Sequence, residues 1–141
     1  MMEDNLKREI LLDHYQNPRN KGLVDDPNYH MVHNASDSCI DDIKVQMLIN
    51  DNKIQDVRFD GVGCTICFAS TSIISELIKG KTKKDALDII NEYYNMIDEK
   101  PYNPDVLEEA NAFDTLSKQA NRIKCGTIGV HAMEQLIKEY E

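Results

Sequence analysis

The sequence predicts an α+β fold: a three-stranded antiparallel sheet packed on one face by several helices. Three observations carry this. Apolar and polar residues alternate between Ile43 and Phe59, the period of a half-buried strand. After Cys64 the period changes to that of a helix. Strand-like segments come first and helix-like segments follow, an order that suits helices laid on a sheet rather than a parallel βαβ fold. The 141 residues are read as a single domain, 1–141, long enough to bury a core.

The elements follow in chain order. Leu6, Ile10, Leu11 and Tyr15 recur at helical spacing, which predicts an amphipathic first helix over about Asp4–Gln16 with those four residues inward. Asn17-Pro18-Arg19-Asn20 ends it, and a loop runs through Asp25-Asp26-Pro27. Residues 28–34 make a short edge strand. In DDIKVQMLIND, Ile43, Val45, Met47 and Ile49 alternate with Lys44, Gln46 and Leu48. Asp51-Asn52 makes the turn, and KIQDVRFDG returns through Val57 and Phe59. Ile66, Ile73, Ile74, Leu77 and Ile78 mark a helix from Thr65 to Lys79, closed by Gly80. Thr82 with Asp85 resembles a capping box, and Ala86, Leu87, Ile90, Tyr93, Tyr94 and Ile97 carry the next helix. EKPYNPD is a loop, residues 105–111 a short helix, and a final helix runs from about Asn121 to Tyr140 with Ile128, Leu136, Ile137 and Tyr140 inward.

Composition narrows the function. A net charge of −9 opposes binding to nucleic acid or to an anionic membrane surface. No apolar stretch approaches the roughly 20 residues that span a bilayer. MMEDNLKREILLDHY lacks the basic start and apolar run of a secretory signal, so a cytoplasmic location is expected, where cysteine is normally a thiol. The four cysteines are therefore weighed as metal ligands, nucleophiles or buried apolar residues before disulfides.

Cys39 lies in a polar loop before a strand, Cys64 in a strand-to-helix turn, and Cys125 near the start of the last helix. Such positions can converge on one rim of the domain. A helix N-terminus, with its partial positive charge and unpaired N–H groups, favours a thiolate over a thiol, and Arg122 and Lys124 beside Cys125 act in the same direction. Three thiolates need a fourth ligand for tetrahedral zinc. Asp41 follows Cys39 by two residues and so points to the same side of an extended segment. A carboxylate corner would make the metal labile. The alternatives stay open: Cys64 and Cys67 as a redox pair, although no βαβ pattern surrounds them; Asp41 and Asp42 as solvated charges. His14, His30, His33 and His131 are read as surface or half-buried residues, with His33 the nearest to Cys39. The residues alone define an α+β domain with a metal-capable thiol site.

Three stretches carry a resemblance: LLDHYQNPRNKG, FDGVGCTICFASTSIISELIKGK and ANRIKCGTIG. Together they resemble the iron–sulfur cluster assembly proteins of the IscU/NifU N-terminal type, and most nearly the SufU branch. The resemblance spans nearly the whole chain and implies a SufE/NifU-like sandwich. It implies that Cys39, Asp41, Cys64 and Cys125 form the metal or cofactor ligand set, with Arg122 beside it and Cys67 a buried or spare thiol. It further implies zinc, a SufS-type cysteine desulfurase as partner, and Cys39 as the thiolate that accepts persulfide sulfur. The alternative is a scaffold on which a labile [2Fe–2S] cluster is assembled and passed to downstream acceptors. A third reading is a zinc-stabilised structural domain. This chain departs from the family in NASDSCIDD, where Ile40 replaces a glycine, so that Asp37 and Asp42 compete with Asp41. The Leu-Pro-Pro-Val-Lys segment of IscU-type scaffolds is replaced by SKQANRIK, and Lys124 stands where IscU has histidine. Both departures point to the SufU branch, and the missing segment favours the sulfur relay.

Overall fold

The alternation between Ile43 and Phe59 becomes the central hairpin of a three-stranded sheet. A computed structural model describes residues 2–35 and 40–139. The elements are α1 (Asp4–Gln16), β1 (His30–Ala35), β2 (Asp42–Asn50), β3 (Lys53–Val62), α2 (Thr65–Ile78), α3 (Lys83–Ile97), a series of 3₁₀ turns between Pro104 and Arg122, and α4 (Ile123–Glu139). The sheet is antiparallel in the order β1-β2-β3. Asp51 and Asn52 take φ of +52° and +63°, the left-handed pair that a two-residue hairpin needs and that Asp and Asn tolerate. From that turn the register runs through Val45 opposite Phe59 to Asp42 opposite Val62, with one irregularity at Leu48/Ile49.

Ile43, Val45, Met47, Val57 and Phe59 are buried on the helix-covered face. There α4 packs on β1 and β2, α2 on β3 and α4, and α1 on α2. Gln46, expected outside, is also buried. Its amide accepts from the N–H of Val24 at 2.8 Å and donates to the carbonyl of Val24 at 3.0 Å, so the loop after α1 is clamped across the other face. The same loop pairs with β3: the Gly22 N–H donates to the Phe59 carbonyl and the Phe59 N–H to the Asn20 carbonyl.

Three helices differ from expectation. In α1 the inward residues are Lys7, Ile10 and His14, while Leu6, Leu12 and Tyr15 are exposed and Leu11 half-buried. Polar partners explain this, one a hydroxyl of α2 and two carboxylates of the segment between α3 and α4. His14 Nδ1 lies 2.8 Å from Ser72 Oγ and Nε2 3.1 Å from Glu109, and Lys7 Nζ reaches Asp114 at 2.5 Å. Ser70, Thr71, Ser72 and Ser75 are all buried, with Ser70 and Thr71 donating to the Cys67 carbonyl. Such small side chains let helices approach closely. A Cβ at Gly129 of α4 would sit 2.1 Å from Thr71 Oγ1. The last helix starts at Ile123, since residues 120–122 form a 3₁₀ turn, and Tyr140 lies outside the described residues. The short helix expected over 105–111 is also 3₁₀, with the Asn103 side chain accepting from the Asp105 N–H and Pro104 in its first turn. The cap of α3 is as read: Thr82 Oγ1 accepts the Asp85 N–H at 3.1 Å.

Candidate metal centre

Three elements end at one corner of the sheet. Asp41 stands immediately before β2, with 1% of its surface exposed. Cys64 is the N-cap of α2, in extended conformation and half-buried. Cys125 lies in the first turn of α4 and is buried. The potential ligand atoms of these three residues all lie within 4.8 Å of one another. The Cys64 N–H donates to Asp41 Oδ1 at 2.9 Å, which ties the strand end to the helix start. The hairpin register brings these residues together: counted outward from Asp51-Asn52, Asp42 meets Val62, and Asp41 and Cys64 come next to each other. The signal was in the sequence, in two strands of 9 and 10 residues on either side of a two-residue turn.

Electrostatics at the cluster differ from expectation. Burial pushes the Cys125 thiol well above its ordinary value, and hydrogen bonding with Asp41 and Cys64, with the charge of both, pushes further. The helix start and the cations at Arg122 and Lys124 do not prevail, because the thiol is buried against a carboxylate while both cationic residues are exposed. A divalent cation would reverse this by binding the sulfur directly.

The remaining predicted site residues fall as follows. Cys39 and Asp37 lie outside the described residues. Asp42 does not join the cluster; its Oδ1 is bonded to His33 Nε2 across the β1–β2 pair. Arg122 is exposed on the 3₁₀ turn that leads into α4. Cys67 is fully buried in the core, one helical turn after Cys64. Of the histidines, His14 departs from the expectation of a surface or half-buried residue, being 1% exposed. Its two ring nitrogens face Ser72 and Glu109. His131 stays exposed, with Nδ1 2.7 Å from the Tyr94 hydroxyl.

A small antiparallel sheet with helices on one face, and a cysteine–aspartate cluster where strand and helix ends meet, defines a class of α+β proteins with a corner that could hold a metal ion. The chain belongs to the family described as NifU-like N terminal domain, whose model matches residues 6–141. It is 34% identical over 139 residues to the zinc-dependent sulfurtransferase SufU of Bacillus subtilis (strain 168), covering 98% of this chain and 93% of that one. It is 32% identical over 136 residues to the iron-sulfur cluster assembly scaffold protein IscU of Escherichia coli (strain K12), covering 94% and 92%. Among solved structures it is similar to a putative iron-sulfur cluster assembly scaffold protein for the SUF system from Fervidobacterium islandicum AW-1. That match has a TM-score of 0.80 at 28% identity and covers 92% of this chain and 94% of that one. Among the described residues no helix is long and apolar enough to cross a membrane.

Proposed function

We propose that this protein is a zinc-containing sulfur acceptor in iron–sulfur cluster biogenesis, serving a SufS-type cysteine desulfurase. The observation that carries the proposal is the convergence of Asp41, Cys64 and Cys125 within 4.8 Å. The donor set fits the metal. Two thiolates bound tetrahedrally to zinc stand about 3.8 Å apart, as follows from zinc–sulfur bonds of about 2.3 Å. The cluster needs only a small contraction to reach that spacing. Cys39, two residues before Asp41, would complete the set. Bound zinc would keep the thiols deprotonated and hold them until one is needed.

Cys39 is assigned the transfer. Its thiolate attacks the outer sulfur of the partner's persulfide; a new S–S bond forms on Cys39, the old one breaks, and the partner's cysteine leaves as a thiolate. Asp41, Cys64 and Cys125 are the residues that would hold the metal. Arg122 stands three residues before Cys125, and its role is to pair with Asp41 or with the released thiolate when the ligand set opens.

The similarity to IscU supports a second reading, in which the same four residues hold a [2Fe–2S] cluster as cargo for downstream acceptors. Metal analysis of protein purified without oxygen or chelator separates the two. About one zinc per chain, with transfer of labelled sulfane sulfur from the desulfurase to the wild type and not to Cys39→Ala, supports the relay. Iron with acid-labile sulfide supports the scaffold.

A further inference from the structure

Cys67 has no part in the proposed metal set, and the sequence here reads Cys-Thr-Ile-Cys at the start of a helix. We propose that Cys64 and Cys67 form a dithiol site which peroxides oxidise to an intrachain disulfide, withdrawing Cys64 from the metal ligands.

The placement of the two thiols carries the proposal. Cys64 is the N-cap of α2 and Cys67 its third helical residue. Side chains on a helix lean toward its N-terminus, so Cys67 is aimed at the chain entering the helix. Gly63 records this: a Cβ there would lie 2.9 Å from the Cys67 sulfur and 3.1 Å from its Cβ. The space a side chain would fill beside Cys64 is thus taken by the second thiol. Exposure divides the roles. Cys64 is half-buried and within reach of a small oxidant, whereas Cys67 is 0% exposed and shielded from direct attack. An accessible thiol next to a protected resolving thiol is the usual plan of a reversible redox pair. Both residues belong to one helix start, so the bond asks for a local adjustment there and for no shift of one element against another.

The chemistry balances with hydrogen peroxide as the oxidant. The Cys64 thiolate attacks one peroxide oxygen; the O–O bond breaks, hydroxide leaves, and Cys64 becomes a sulfenic acid. The Cys67 thiol then attacks that sulfur, the S–S bond forms, and its proton leaves with the hydroxyl as water. The peroxide gains two electrons and each thiol gives one. The disulfide step depends only on the pair. The loss of metal rests on the ligand set proposed above.

The test uses the full chain, as wild type, Cys67→Ser and Cys67→Ala, both zinc-loaded and metal-stripped. Each is treated with hydrogen peroxide, alkylated after unfolding and digested with trypsin. Cleavage after Arg58 and Lys79 gives one peptide, residues 59–79, that contains Cys64 and Cys67 and neither Cys39 nor Cys125. In the wild type this peptide is expected unalkylated and two hydrogens lighter than the dithiol. Zinc release should track its formation, and dithiothreitol should restore thiols and zinc binding together. In both variants Cys64 should run on to sulfinic acid, which dithiothreitol does not reverse. The proposal is overturned if wild-type Cys64 is joined to Cys125 or Cys39. It is equally overturned if Cys64 is over-oxidised while Cys67 takes the alkyl group. A chain purified without zinc would sink the metal reading, and the metal-stripped arm would still decide on the disulfide.

Discussion

Asp41 has two tasks, and two substitutions separate them. Its carboxylate accepts the Cys64 N–H and stands among the proposed ligands. Asp41→Asn keeps an oxygen for that N–H and removes the negative charge; Asp41→Ala removes both. Zinc per chain, measured by metal analysis, should fall in each. Thermal stability of the metal-free protein should fall mainly in Asp41→Ala, by about 1–3 kcal/mol for a buried donor left unpaired. Equal zinc in wild type and Asp41→Asn would remove Asp41 from the ligand set. A second prediction concerns Tyr29, which donates to Asp56 at 2.5 Å. Burial, then the hydrogen bond to Asp56 and the nearby carboxylate charges, raises its pKa from 10.0 to about 12. The folded protein therefore holds this proton where the unfolded chain has lost it. The stability it contributes is full below pH 10 and declines as pH rises through 12. Tyr29→Phe should flatten that decline in urea unfolding measured across the same window. An unchanged slope would show that Tyr29 is not its source. Residue patterns alone did not reveal Tyr29, because its partner comes from a strand 27 positions away.

At the scale of elements, α2 and α4 matter most, since each delivers a thiol. They meet where Gly129 faces Thr71. Gly129→Ala should cost about 1–3 kcal/mol by overpacking, read as a lower urea midpoint. It should also weaken zinc binding by moving Cys64 and Cys125 apart. Thr71→Ala in the same chain should recover part of both losses, as it removes the two nearest atoms, Oγ1 and Cγ2. Failure of the double variant to recover either would place the damage elsewhere. The limits of α1 were legible because Asn17-Pro18 closes it, and α3 because Thr82 caps it. The inward face of α1 was not legible. Hydrophobic spacing assumes an apolar neighbour, and here the partners are polar: the Ser72 hydroxyl of α2 and Glu109 for His14, and Asp114 for Lys7. The 3₁₀ turns before α4 left a mark that a search for periods of two and 3.6 passes over: Leu107, Ala110, Phe113 and Leu116 are buried at every third position, the period of a 3₁₀ helix.

Across the whole molecule, the strand-then-helix order was enough to read the sheet and its helical cover, because periods of two and 3.6 leave different marks. The candidate centre was legible only as a set of loop-end residues. What joins Asp41 to Cys64 is not proximity in sequence but the pairing of β2 with β3, which starts at Asp51-Asn52. Strands of this length put that turn roughly 30 Å from the thiols, at about 3.4 Å per residue. The turn thus acts as the zero mark of a ruler. Sliding one strand by a single residue would face every side chain the wrong way, at a cost to the whole core. The hairpin therefore reads out one length only, and at the far end of that length a carboxylate and a thiol coincide. Inserting one glycine between Asp51 and Asn52 should then disturb the metal corner without touching it, with lower zinc content than a glycine inserted in the loop at Pro27. If the two insertions bind zinc alike, the scale is set from some other point of the fold.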